Sequence, residues 1–225
     1  MTATSRRNGT AGSVTGLLAG RAPSLAAALG FAALCAVLVI ALRCSLEWVG
    51  PLPGDRWVLT HEDFPWLQPL PVLDTTIFFS VIASPVIAIA TVLLGVLYAF
   101  RAEGARGAGF VVLSAAGVLV NAALKVLSGP TPLMVEMHGA DALNYPSGHT
   151  VYAVVTFGAL AVLARRDGRT DIALPLAGLA ALMGPARVIA IAHFVSDVVA
   201  AYLVGFAWLA IAAALTLGPS SAKRR

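Results

Sequence analysis

His193 and Asp197 stand four residues apart, a spacing that puts both on one face of a helix and lets the carboxylate accept the Nδ1 proton of the imidazole. That bond leaves Nε2 unprotonated and nucleophilic, as in the base-orienting half of a triad. Arg187, shortly upstream, carries a planar fork suited to phosphate oxygens, and Lys125, one of two lysines in the chain, adds a point charge. Pro146-Ser147-Gly148-His149 reads as the opening of a helix, where free backbone N–H groups and the positive dipole end favour an anion. Gly148 lets a backbone come close, and His149 can exchange protons near neutral pH. The set amounts to a nucleophile, a proton donor and a cationic pocket for an anion, with no metal or other cofactor required.

The elements that must position these groups are apolar runs of membrane-spanning length: Ser24 to Leu42, Thr75 to Phe100, Gly109 to Leu127, Ser147 to Ala164, Ile172 to about Val188, and Phe194 to Leu217. The last two form one apolar stretch that as a straight helix would measure about 70 Å, over twice the hydrocarbon thickness. The chain must therefore turn back, and Pro185 with Arg187, His193 and Asp197 marks the turn. With 59% hydrophobic and 12% charged residues and a mean hydropathy of +0.86, there is too little polar surface for a water-soluble globule. The expected fold is all-α: a six-transmembrane helix bundle over residues 21–217, with a flexible tail at 1–20 and a basic tail at 218–225.

Charge sets the orientation. Arg6, Arg7, Arg21, Arg101, Arg106, Arg165, Arg166, Arg169, Lys223, Arg224 and Arg225 fall on one side, eleven of the fifteen basic residues, against Arg43, Arg56, Lys125 and Arg187 on the other. The positive-inside rule then makes both termini cytoplasmic and places the reactive groups at the extracytoplasmic edge of the cell membrane. A net charge of +4 scattered between apolar runs does not indicate nucleic acid; the partner is the lipid bilayer. Arg6, Arg7 and Arg21 precede an apolar stretch long enough to span, which reads as an uncleaved first helix rather than a signal peptide. Cys35 and Cys44 lack metal-ligand spacing and read as core thiols. The segment Cys44 to Asp74, with Trp48, Trp57, Trp66 and five acids, reads either as an interfacial lid or as a plain connecting loop. Gly30, Gly95, Gly117, Gly158, Gly178 and Gly205 are expected at close helix contacts, and His61 and His138 at the surface.

Pro-Ser-Gly-His, followed by Arg, five residues, His, three residues and Asp, resembles the second and third motifs of the type 2 phosphatidic acid phosphatase and haloperoxidase superfamily, over roughly residues 75 to 215. The resemblance implies a membrane phosphatase for lipid phosphates or polyprenyl diphosphates that works through a phosphohistidine. His193 is then the nucleophile, Asp197 its orienting partner, His149 the general acid, and Lys125, Ser147, Gly148 and Arg187 the phosphate pocket. Two positions depart from the pattern. Pro132 stands where the first motif has an arginine, and Ala186 where the third has a serine. Thr131, His138 or Arg56 is expected to compensate in part for the missing guanidinium. The alternative is a catalytically weak member that binds lipid phosphates, and a transporter is disfavoured because the ionisable groups gather at one interface and not at mid-membrane.

Overall fold

A computed structural model of the chain describes residues 14–60, 77–139 and 143–217, which are helical with short connections and no strand. His61, Trp66 and the chain ends at 1–13 and 218–225 lie outside these residues, as does the side chain of His138.

Ser24 opens α1 (Leu25–Trp48), its side chain accepting the Ala27 N–H at 3.2 Å. Only Ala28, Cys35, Val39 and Leu46 of this helix are buried, while Leu34, Val37 and Ile40 are exposed. Such an apolar outer face suits lipid and not water. Among the described residues, five helices are long and apolar enough to cross a membrane: α1, the stretch Pro85–Ser128, α6 (Gly148–Arg166), α7 (Thr170–Ile189) and α8 (Val195–Thr216). Shorter elements are α2 (Pro53–Thr60) and α5 (Pro132–His138), together with a helical turn at 77–82.

The stretch Pro85–Ser128 holds α3 (Pro85–Ala115) and α4 (Gly117–Ser128) and has 44 residues, which would run about 66 Å if straight. It is not straight. Gly104, at φ 66° and ψ −151°, interrupts α3 in a backbone region that side-chain-bearing residues enter only under strain. A Cβ built on Gly95 would lie 3.5 Å from the Val111 side chain, and one on Gly107 would lie 2.6 Å from the Ala99 carbonyl oxygen. In a continuous helix Gly95 and Val111 would be about 24 Å apart, so the chain doubles back at Gly104.

The centre of the bundle is α6 against α8. Of the most apolar part of α6, 72% is buried, and of that of α8, 50%. They cross where Gly205 faces Val154, with only 2.8 Å to the Val154 Cβ from a Cβ added at Gly205. A π-helical turn, Val154–Gly158, occupies this crossing in α6. Gly95, Gly117 and Gly158 likewise meet Leu160, Trp208 and Leu209 closely, but Gly30 and Gly178 face open space; Gly184, pressed on Val198 and Tyr202, is a close contact that the sequence reading did not name.

Several boundaries differ from those expected; the span expected from Thr75 begins as α3 only at Pro85, after the turn at 77–82. Pro185 lies inside α7, and the turn to α8 comes later, at residues 190–194, where Ile191 takes a left-handed φ of 53°. Helix α1 continues to Trp48, so Cys44 is helical, and the segment read as a lid or loop contains α2, packed on the first turn of α8. The chain expected to be tail through residue 20 is helical from Val14 to Ala19, with Leu17 buried in the core. Gly20 is tied by its carbonyl to Arg166, whose guanidinium also pairs with Glu103 at the end of the bundle remote from His193.

Candidate active site

The turn between α7 and α8 delivers three of the sequence-derived residues. Arg187 is in the last turn of α7, His193 follows in the connection, and Asp197 occupies the third position of α8. His193 Nδ1 lies 3.2 Å from Asp197 Oδ2, with His193 nearly and Asp197 fully buried. The two do not share a helical face, as the four-residue spacing suggested, because His193 precedes the helix. The pair forms because Asp197 turns back towards the start of α8, where the same Oδ2 accepts the Phe194 N–H at 3.2 Å. That is the reciprocal half of a capping box, here shared with an imidazole. Asp197 Oδ1 is buried with no partner among the described residues.

Ser147 caps the N-terminal end of α6, but its side chain leaves the first-turn N–H groups free and instead accepts a hydrogen bond from the Thr150 hydroxyl at 3.1 Å. Those N–H groups, at the positive end of a helix, remain open to an anion. Gly148 lies beside α4: a Cβ there would sit 3.7 Å from Asn121 Nδ2 and 3.8 Å from Lys125 Nζ. Lys125 Nζ donates to the Leu143 carbonyl at 3.0 Å and lies within electrostatic reach of Asp197. His149, half-buried in the first turn of α6, is in electrostatic reach of Arg187, His193 and Lys125. All seven predicted residues thus gather at one end of the bundle. Among the described residues, no group of three or more His, Cys, Asp or Glu side chains is placed to hold a metal ion.

The Lys125, His149 and His193 groups could polarise and attack an anion held at the start of α6. A metaphosphate-like group needs in-line attack, charge neutralisation at its oxygens and protonation of its leaving atom, and these side chains supply each type of group. The family model of the PAP2 superfamily matches residues 106–218, just over half the chain and every one of the seven site residues. The chain belongs to the PAP2 superfamily. No curated protein and no solved structure matches it.

As a phosphatase-like membrane protein of the PAP2 superfamily, the chain also recruits residues that sequence reasoning did not single out. Asn121, one helical turn before Lys125 and almost fully buried, donates to the Pro146 carbonyl at the long distance of 3.5 Å; its i, i+4 relation to Lys125 is the signal that was there to be read. Ser80, from the turn at 77–82, receives a hydrogen bond from Arg187 Nη1 at 2.7 Å, and no local pattern announces it. Tyr145 is fully buried and its hydroxyl donates to the Val39 carbonyl at 2.8 Å, joining the PAP2 helix-opening segment to α1.

The residues expected to replace the missing arginine are not equivalent. Pro132 is the first residue of α5, and Thr131, just before it, is fully buried with its hydroxyl unpartnered among the described residues. Arg56 is exposed on α2. The arginine that does reach this turn is Arg43 of α1, whose Nη2 donates to the carbonyls of Ser128 and Pro130 at 3.1 Å each while Nη1 pairs with Glu47. Its guanidinium holds the backbone after Lys125.

Proposed function

We propose that the protein is an integral membrane phosphatase that hydrolyses a phosphomonoester or diphosphate on a lipid, without a metal, through a phosphohistidine on His193. The observation that carries this reading is the buried His193–Asp197 contact at 3.2 Å beside the Lys125, Gly148 and His149 cluster. With Asp197 on Nδ1, the Nε2 lone pair of His193 attacks phosphorus and forms the N–P bond as the P–O bond to the lipid breaks. His149 protonates the departing lipid oxygen, then takes a proton from the water that attacks the phosphohistidine and frees phosphate and His193. Lys125, Arg187 and the N–H groups after Ser147 balance charge on the equatorial oxygens.

The bilayer supplies the substrate from the side, and the same reading sets the topology. Because the stretch Pro85–Ser128 folds back at Gly104, its two limbs, the first half of α3 and the rest of α3 with α4, count as two crossings, which makes six with the other four helices. An even number keeps both termini on one side, and the eleven-to-four split of basic residues makes that side cytoplasmic, with the site at the extracytoplasmic face of the cell membrane. Neither nucleic acid nor a cofactor enters the mechanism.

The absent first-motif arginine favours a second reading, a weak or inactive member that binds lipid phosphates. The purified protein is assayed for phosphate release from short-chain phosphatidate and polyprenyl diphosphate, with and without a chelator, beside His193→Ala. The phosphatase reading expects chelator-insensitive release that vanishes in the variant. Binding of the same lipids without release supports the second reading, and release that needs added divalent metal overturns the metal-free mechanism.

A further inference from the structure

Two carboxylates are fully buried among the described residues, and both attend the first turn of α8: Asp197 and Asp55. Asp55 comes from α2. Its Oδ2 accepts the Leu52 N–H at 3.2 Å, closing the start of its own helix, and its Oδ1 crosses to α8 and accepts the Ser196 N–H at 2.9 Å. The two aspartates therefore stand alike, each third in its helix and each turned back on the residue before it, but Asp55 spends its second oxygen on the neighbouring helix. Ser196 directly precedes Asp197 in the first turn of α8. Around this bond α2 is pressed against α8: a Cβ on Gly54 would lie 2.9 Å from a Val195 methyl, and Val58 is buried in the same apolar cluster as Phe194.

A buried carboxylate is costly unless its oxygens are satisfied, and a neutral acceptor would close the start of α2 with less desolvation. The second bond, to Ser196, is what the arrangement gains. Asp197 reaches His193 only by folding back over the start of α8, so the orientation of the imidazole depends on how firmly that turn is held. Side chains that present a reacting group need such external fixing, since errors of about 1 Å cost roughly 100-fold in rate.

We propose that Asp55 is a positioning residue for His193: by holding the Ser196 N–H it fixes the first turn of α8 and, through Asp197, the tautomer and aim of the imidazole. The inference rests on the reading of His193 as the nucleophile, and its consequence for the imidazole is measurable without turnover. Asp55→Ala and the smaller, polar Asp55→Ser both lose the bond to Ser196, and Asp55→Asn keeps one acceptor oxygen for it while giving up the bond from the Leu52 N–H. In detergent-solubilised full-length protein labelled with ¹⁵N-histidine, the His193 ring shifts of the wild type should report an Nδ1-protonated tautomer. They should move towards the tautomer average in Asp55→Ala or Asp55→Ser and return in Asp55→Asn. With dioctanoyl phosphatidate in mixed micelles, kcat should fall about 10- to 100-fold in the first two with KM within twofold, and Asn should restore at least half of it. Ring shifts that stay at the wild-type values in a folded Asp55→Ala or Asp55→Ser overturn the proposal. Shifts that move while no variant, wild type included, releases phosphate uphold the positioning role and overturn the phosphatase reading instead.

Discussion

The backbone N–H of Ser147 donates to the carbonyl oxygen of Asp197 at 3.1 Å. This bond fastens the opening of α6 to the first turn of α8, so the free N–H groups after Ser147 and the His193–Asp197 pair are held in one register. It also means that a change to the Asp197 side chain can leave the frame in place, because the bond uses only backbone atoms.

Asp197→Asn should therefore fold and should still bind lipid phosphate, yet turn over on the order of 10³- to 10⁴-fold more slowly, since an amide at this point favours the wrong imidazole tautomer. Steady-state kinetics on a soluble short-chain substrate check this. A loss below tenfold removes Asp197 from the role of orienting partner.

The turn after Lys125 is held by Arg43, which donates to the carbonyls of Ser128 and Pro130, and not by a guanidinium at position 132. Pro132→Arg should raise kcat, by up to about 100-fold if the native site lacks one preorganised donor outright. Thr131→Val should slow turnover at least tenfold if the buried Thr131 hydroxyl compensates, and the exposed Arg56 predicts little effect from Arg56→Ala. Acceleration by Pro132→Arg with no effect of the other two shows an uncompensated site, and a tenfold loss in Arg56→Ala reverses the ranking drawn from exposure.

For topology, Cys35 and Cys44 are first replaced by Ala, and single cysteines are then placed at Glu136, exposed on α5 at the His193 end, and at Asp167, beyond Arg166 at the opposite end. In intact cells a membrane-impermeant maleimide should label position 136 and spare 167. The reverse pattern would put the site in the cytoplasm.

Burial raises the Asp55 carboxyl above its ordinary pKa; the bonds from Ser196 and Leu52 pull the other way without prevailing, and the nearby Asp197 charge adds to the rise. A raised folded-state value means that the folded protein holds more protons than the unfolded chain in the window between the two values. The contribution of this group is fully present below the unfolded carboxylate pKa and is lost as pH rises through the folded one. Compared with Asp55→Asn, which does not titrate, the wild type should lose Tm on going from about pH 4 towards pH 7. Thermal unfolding in detergent across that range checks it, and a wild-type advantage that grows with pH contradicts the sign.

The apolar runs and the placement of the candidate site residues at helix ends were legible in the sequence because each is a local property. Twenty apolar residues span a bilayer whatever lies beside them, and Pro146-Ser147-Gly148-His149 opens a helix through its own backbone chemistry. The family resemblance rests on such short strings, and the match over residues 106–218 agrees with it. What the sequence did not carry is anything made between distant segments. The reversal at Gly104 depends on a backbone conformation that glycine permits but does not impose. Pro185 reads as a helix end, yet α7 runs past it to Ile189 because packing against the bundle outweighs a lost backbone bond. Asp55 looks like one of five acids in an outer loop, Ser80 like any serine and Arg43 like a flanking charge. Their partners are Ser196, Arg187 and the turn after Lys125, from 85 to 141 residues away. Only tertiary packing brings such pairs together, because the free energy that selects them comes from burying α2, α1 and the turn at 77–82 against helices that no local pattern connects to them.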